Sequence, residues 1–232
     1  MKKIYFALIA FAAFFMTVDA AAQVSVGAGY NHNVMIDNLY GERDTEGMDG
    51  FYLEATYDWD FLDRQWGILG FQPGLRFSYA GNSESEEMMG FKTRATFNET
   101  YFDVPLNVKY SYPIGRLKLS AFAGPVLSFG LTSSTKASVK GDGVDYSSRL
   151  NMYTGKFNEK GEAGSGLGSA TDSWASNYSR FDVKLGVGLG VSFADRLSLK
   201  LGYNIGLANR YTGEADYYIR TGVFYLGLGI SL

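Results

Sequence analysis

The chain has 232 residues, a formal net charge of −3, 29 glycines, 17 tyrosines, 17 phenylalanines, one histidine and no cysteine. Without cysteine and with a single histidine, disulfide stapling, thiol catalysis and a Cys/His zinc site are excluded. The mildly acidic balance offers no footprint for nucleic acid, and at 46% hydrophobic residues the chain is too apolar for disorder.

The chain opens with the basic Met1-Lys2-Lys3, an apolar run from Ile4 to Val18, and the small residues Ala20-Ala21-Ala22. This pattern predicts a signal peptide over residues 1–22, with Gln23 as the first mature residue. The apolar run is shorter than the ~20 residues needed to cross a bilayer as a helix. Residues 23–232 are then expected to form one domain.

From there a period of two recurs eight times, over 24–31, 51–61, 69–79, 102–110, 117–129, 180–193, 197–207 and 224–232. One face of each segment carries Leu, Val, Ile and Phe; the other carries Gly, Ser and charged residues. The links 62–66, 111–116 and 194–196 are short, whereas the others are long, the longest running from about Thr132 to Asn177. Short turns on one side and long loops on the other predict an all-β fold, an eight-stranded antiparallel up-and-down transmembrane β-barrel. A β-sandwich or a lipocalin-like barrel would put the apolar face inside, yet here the opposite face holds too many charges and glycines to be a surface around such a core. Trp59, Phe61, Tyr110 and Phe193 at the short-turn ends, with Tyr30, Tyr79, Phe102, Phe129 and Phe224 at the loop ends, are expected to form two interfacial girdles. Pro73, Pro105 and Pro125 fall inside strands, where bulges or broken pairing are expected.

The strings Gly70-Phe71-Gln72-Pro73-Gly74-Leu75, Phe102-Asp103-Val104-Pro105-Leu106-Asn107-Val108-Lys109-Tyr110 and Ala123-Gly124-Pro125-Val126 resemble those of the PorT-like outer-membrane β-barrel family, common in Bacteroidetes. The resemblance covers the mature chain and rests on strand-packing patterns. It implies an outer-membrane location and, for one member, association with a protein secretion system. Tyr225, Gly227 and the alternating apolars resemble an outer-membrane insertion signal, although the chain ends in Leu232 instead of an aromatic.

Eight strands enclose a lumen that side chains fill. Toward the loops Glu54, Asp103 and Asp182 are expected to meet Arg76, Arg180 and Lys184; toward the turns Asp58 and Asp60 are expected to meet Lys109, Lys118 and Lys200. Charges in so narrow a space must be paired. The expectation is a salt-bridged plug beside a glycine wall, with a narrow channel for small polar solutes as the alternative. No cofactor and no catalysis are expected, because His32 stands alone at an outward-facing loop edge without a G-x-S-x-G. The loops carry acids, Asp37, Glu42, Asp44, Glu46 and Asp49 against Arg43 in the first and Glu84, Glu86 and Glu87 in the second. Expected partners are outer-membrane lipid and lipopolysaccharide, with divalent-cation bridging as one route, and a protein partner through the loops, where Asn151-Met152-Tyr153 and Ser173-Trp174-Ala175 are apolar points. A monomer is expected.

Overall fold

Successive side chains on a strand point to opposite sides, so a sheet that closes on itself sorts its residues into a lumen row and an outer row. The computed structural model describes residues 22–39, 42–88, 90–141, 144–161, 178–213 and 217–232. Residues 1–21, which hold the expected signal peptide up to its last residue, and Ser173-Trp174-Ala175 lie outside the described residues. The strands are β1 (Ala22–Leu39), β2 (Glu42–Arg64), β3 (Gly67–Met88), β4 (Phe91–Ile114), β5 (Leu117–Gly141), β6 (Val144–Asn151), β7 (Phe157–Lys160), β8 (Phe181–Phe193), β9 (Leu197–Gly206) and β10 (Tyr217–Ser231). All pairings are antiparallel. Eight strands close a ring in the order β1-β2-β3-β4-β5-β8-β9-β10, sealed where Ser25 of β1 lies opposite Ser231 of β10, while β6 and β7 extend the sheet from β5 outside the ring.

The two rows sort by polarity in the reverse of a soluble barrel. Ser25, Asn31, Glu54, Gln72, Asp103 and Asn204 are buried inside, whereas Leu53, Val108, Leu189, Leu199 and Leu228 are exposed outside. Each such outer side chain left in water would forgo about 1.5–3 kcal/mol of burial, so the surface requires an apolar surrounding. Phe77, Phe102, Phe129 and Phe181 stand side by side across β3, β4, β5 and β8, opposite one another in register, and mark the upper edge of the apolar band. At the lower edge Trp59, Phe61, Tyr112 and Phe193 are exposed, and Trp66 stacks on Tyr110 with ring centroids 6.1 Å apart. A lipid-facing belt between two aromatic rims is what a transmembrane barrel needs.

Several segments expected to be loops are strands instead. The β1–β2 ladder continues to Leu39 opposite Glu42, and the β3–β4 ladder to Met88 opposite Phe91. Above the membrane both faces meet water, so these stretches lose the apolar alternation that reveals a strand, although their backbone hydrogen bonds continue. The β2–β3 pairing stops at Asp49 opposite Gly81, which separates the β1–β2 ribbon from the sheet of β3 to β7.

The prolines cause no register shift. Shifts occur instead at Asp60/Leu62 between β2 and β3 and at Thr100/Tyr101 between β4 and β5. Each proline keeps a partner on one side, Pro73 opposite Leu106, Pro105 opposite Val126 and Pro125 opposite Leu185, and the neighbouring ladder on its other side is interrupted. A residue without an N–H loses ladder bonds without needing an extra residue.

The glycines of the lumen wall make room for aromatic rings. Tyr52, Phe122 and Tyr225 form the buried cluster at the middle of the barrel. A Cβ at Gly202 would lie 2.3 Å from the ring of Tyr225, and one at Gly188 would lie 2.3 Å from that of Phe122. Gly202→Ala is therefore expected to destabilise the barrel by about 1–3 kcal/mol, an overpacking cost. In urea titrations of refolded protein the same substitution should cost clearly less in a Tyr225→Leu background, because the obstructing ring is gone.

Candidate functional site: the lumen and its extracellular cap

The centre of the lumen is held by Arg76, projecting inward from β3. Its guanidinium lies 3.9 Å from the ring centroid of Tyr225 and 4.7 Å from that of Tyr52, in the corner formed by two rings that meet edge to face. Arg76 Nη2 donates to Glu54 Oε2 at 2.7 Å and Nε donates to the same oxygen at 3.2 Å. The other carboxylate oxygen, Glu54 Oε1, accepts from Lys200 Nζ at 2.9 Å. Sequence alternation places Glu54 opposite Arg76 in the β2–β3 register, which explains why the pair meets. Lys200 reaches it from β9, across the lumen.

The other expected lumen charges distribute around this centre. Lys109 Nζ donates to Asp58 Oδ1 at 2.8 Å, and Gln72 Nε2 donates to it at 2.6 Å. Above the centre, Lys184 Nζ donates to Ser128 Oγ at 3.0 Å and lies 3.8 Å from Asp103, which accepts the Ser128 hydroxyl. Asp182 accepts from Thr221 Oγ1 at 2.7 Å. Thus four acids (Glu54, Asp58, Asp103, Asp182) share the lumen with four bases (Arg76, Lys109, Lys184, Lys200). Three expected residues lie at the ends of the bore instead of within the network. Lys118 pairs at 2.8 Å with Asp195 of the β8–β9 turn instead of with Asp58 or Asp60. Asp60 is exposed beside the register shift at Asp60/Leu62, near enough to Lys109 and Lys118 to feel both charges but in a salt bridge with neither. Arg180 lies just before β8, its guanidinium 4.7 Å from the ring of Tyr153, above the acids it was expected to meet.

A second constellation closes the extracellular end. Arg210, between β9 and β10, and Glu99 of β4 are both fully buried, and Arg210 Nη2 donates to Glu99 Oε1 at 3.1 Å. Arg210 Nη1 donates to the Tyr101 hydroxyl at 2.7 Å, and that hydroxyl donates to Glu99 Oε2. Nη2 also donates to the Tyr153 hydroxyl at 3.1 Å and to the Ser179 carbonyl at 3.3 Å, while the guanidinium rests 4.2 Å from the Tyr178 ring. Burial disfavours the Arg210 charge, but Glu99 and the neighbouring phenols outweigh it and the pKa is raised; burial pushes the Tyr153 and Tyr178 phenols up, so they stay neutral donors. The Lys184 ammonium, 4.8 Å from the Tyr101 ring, links cap to lumen. Sequence reasoning missed this cap because the fourth expected strand began at Phe102. Extending its alternation would have put Tyr101 and Glu99 on the face of Asp103; nothing in the sequence signals that Arg210 meets them.

On the outer surface His32 Nδ1 lies 2.7 Å from Asp49 Oδ1, and the Tyr30 hydroxyl donates to the same oxygen. Among the described residues the other ring nitrogen has no hydrogen bond. In the acidic ribbon Glu46 has its carboxyl raised above the usual range by burial and then by Glu84, Asp44 and Asp37. Among the described residues no acids cluster to hold a metal ion.

Removing one member of the central pair strands the other. Glu54→Gln is expected to destabilise the barrel by about 3–5 kcal/mol, because Arg76 and Lys200 both lose their acid, whereas Glu54→Leu combined with Arg76→Met and Lys200→Met should recover much of that loss. Urea unfolding in detergent, followed by tryptophan fluorescence, measures both.

The chain resembles small barrels of known structure. Over 91% of this chain and 99% of the other, it is similar to the attachment invasion locus protein Ail of Yersinia pestis, at 14% identity and a TM-score of 0.43. It is similar over the same shares to neisserial surface protein A, at 16% identity and a TM-score of 0.44. The outer membrane enzyme PagL matches at 10% identity and a TM-score of 0.37, over 87% of this chain and 99% of that one. No curated protein matches the sequence. The model of the outer membrane protein beta-barrel domain matches residues 20–211. With that match and the closed ring of eight strands, the chain belongs to the outer membrane protein β-barrel domain family, whose place is the bacterial outer membrane.

Proposed function

We propose that the protein is a non-conducting, non-catalytic barrel that works through its surface, with the ring as an anchor and the extracellular strands as the interacting part. It is exported through the signal segment 1–22 and acts as a monomer. The strings around Pro73, Pro105 and Pro125 support a place among PorT-like members of its family.

The observation that carries this reading is the filled lumen. Arg76, packed against Tyr52 and Tyr225 and tied to Glu54, which also holds Lys200, crosses the middle of the bore, and Arg210 with Glu99 crosses its mouth. An ion on this path would have to displace paired charges in a confined space, at several kcal/mol for each charge left unpaired. The ring supplies rigidity instead: β1 to β5 continue as paired strands beyond the apolar band.

Purified protein in planar bilayers is expected to show no stable conductance steps. The double variant Tyr52→Gly/Arg76→Ser, which removes the central crossing, should show brief small openings. A steady ohmic conductance of the unaltered protein would refute the plugged reading in favour of a narrow pore.

A further inference from the structure

The sheet of β4, β5, β6 and β7 has an outer face with an unusual charge pattern. Two cross-strand rows build it. Arg94, Ser138, Ser147 and Lys160 lie opposite one another in one row, and Thr96, Lys136, Arg149 and Asn158 in the next. They line a shallow cavity of about 490 Å³ that holds four cationic side chains and no acid. Arg94, Lys136, Arg149 and Lys160 are exposed, and none has an ion-pair partner among the described residues.

Lys136 and Arg149 are directly opposed, and so are Lys92 and Lys140 at the edge of the same face. Like charges in direct cross-strand positions are destabilising. In that edge row Glu87 lies opposite Lys92, and Asp145 lies opposite Lys140 and pairs with it at 3.2 Å, whereas Lys136 and Arg149 have no acid beside them. On β3, Glu84 and Glu86 lie opposite Ala95 and Thr93, on the inner face, and Glu84 is near enough to raise the carboxyl pKa of Glu46. The two rows that line the cavity thus carry four bases and no acid, and the outward acids Glu87 and Asp145 stand one row beyond them.

The outer face also has a defined position. On β4, Thr96 belongs to the same outward row as Phe102, the upper aromatic rim, and lies about 20 Å farther along the strand, or roughly 15 Å above that rim after strand tilt. The face therefore stands over the outer leaflet, at the height of headgroup saccharides and clear of the acyl chains. Serine and asparagine hydroxyl and amide donors between the cations suit the oxygens of a phosphorylated sugar, with Arg supplying paired donors to a phosphate.

We infer that this face binds the phosphorylated saccharide headgroup of an outer-leaflet glycolipid, with lipopolysaccharide as the occupant. Continuity with the lipid-facing wall makes molecules standing in the same leaflet its immediate neighbours. An anion between Lys136 and Arg149 turns their repulsion into two charge-assisted contacts. The inference holds whether or not the lumen conducts, and its test contains no conductance measurement.

The test uses the full chain, folded in detergent micelles and titrated with rough-type lipopolysaccharide, with the same glycolipid after phosphatase treatment, and with a lipid-free phosphorylated polysaccharide. Intact lipopolysaccharide is expected to bind most tightly, and Lys136→Ser/Arg149→Ser to weaken it about tenfold, the scale of one lost charge-assisted hydrogen bond. Raising salt from ~0.05 to ~0.5 M should weaken wild-type binding more than that of the variant. The swap Lys136→Arg/Arg149→Lys keeps the charges and should keep the affinity, and the shift in gel mobility on boiling reports that each variant is a closed barrel. Unchanged binding by the serine variant would overturn the inference, as would lost binding by the charge-keeping swap in a folded barrel. Equal affinity for the lipid-free polysaccharide would overturn it too, assigning the face to a soluble anionic polymer.

Discussion

The guanidinium of Arg76 packed against the rings of Tyr52 and Tyr225 is the contact on which the interior depends. In a barrel of eight strands the lumen has no room for a separate apolar core, so its packing must come from side chains that are both large and polar. Arg76 satisfies Glu54 and covers two aromatic faces at once. The glycines opposite these rings follow from it: with side chains at Gly188 and Gly202, neither Phe122 nor Tyr225 would fit across the bore. Tyr52 and Tyr225 meet edge to face at 5.7 Å, so β2 and β10 are joined across the lumen as well as through β1.

The same logic repeats at the mouth with different residues. Arg210 brings the segment between β9 and β10 onto Glu99 of β4 and is surrounded by Tyr101, Tyr153 and Tyr178. A buried arginine with one carboxylate and several phenol donors is costly to break apart and tolerates little displacement. It fixes the end of the β6–β7 extension, through Tyr153, to the ring wall. The extracellular sheet is thereby a continuation of the barrel and not a set of free loops. Its outer side carries a cavity lined by four bases and no acid, and the wall below it carries lipid-facing apolar side chains.

The charge pairs also show why depth along a strand is a poor guide to partners in a narrow barrel. Lys200 was expected near Asp58 and Asp60, yet its flexible stem reaches Glu54. Lys118 turns toward the turn residue Asp195, since both lie at the periplasmic rim. Arg180 stays above the lumen with Tyr153. A long side chain spans more than one residue step, so the choice among nearby acids is made by rotamers and by what else fills the bore.

The sequence by itself determined the eight strands of the ring and their faces, because lipid outside and polar side chains inside impose a period of two wherever a strand crosses the membrane. It also contained the aromatic rims and the adjacent pair Glu54 and Arg76. It did not reveal the strands above the membrane, where water on both faces erases the alternation and only backbone hydrogen bonds remain. Contacts across the bore, such as Arg76 with Tyr225, Lys200 with Glu54 and Arg210 with Glu99, join segments far apart in the chain. Only ring closure and register bring those side chains within reach, so only the tertiary structure decided what fills the lumen and which face of the extracellular sheet is left positively charged.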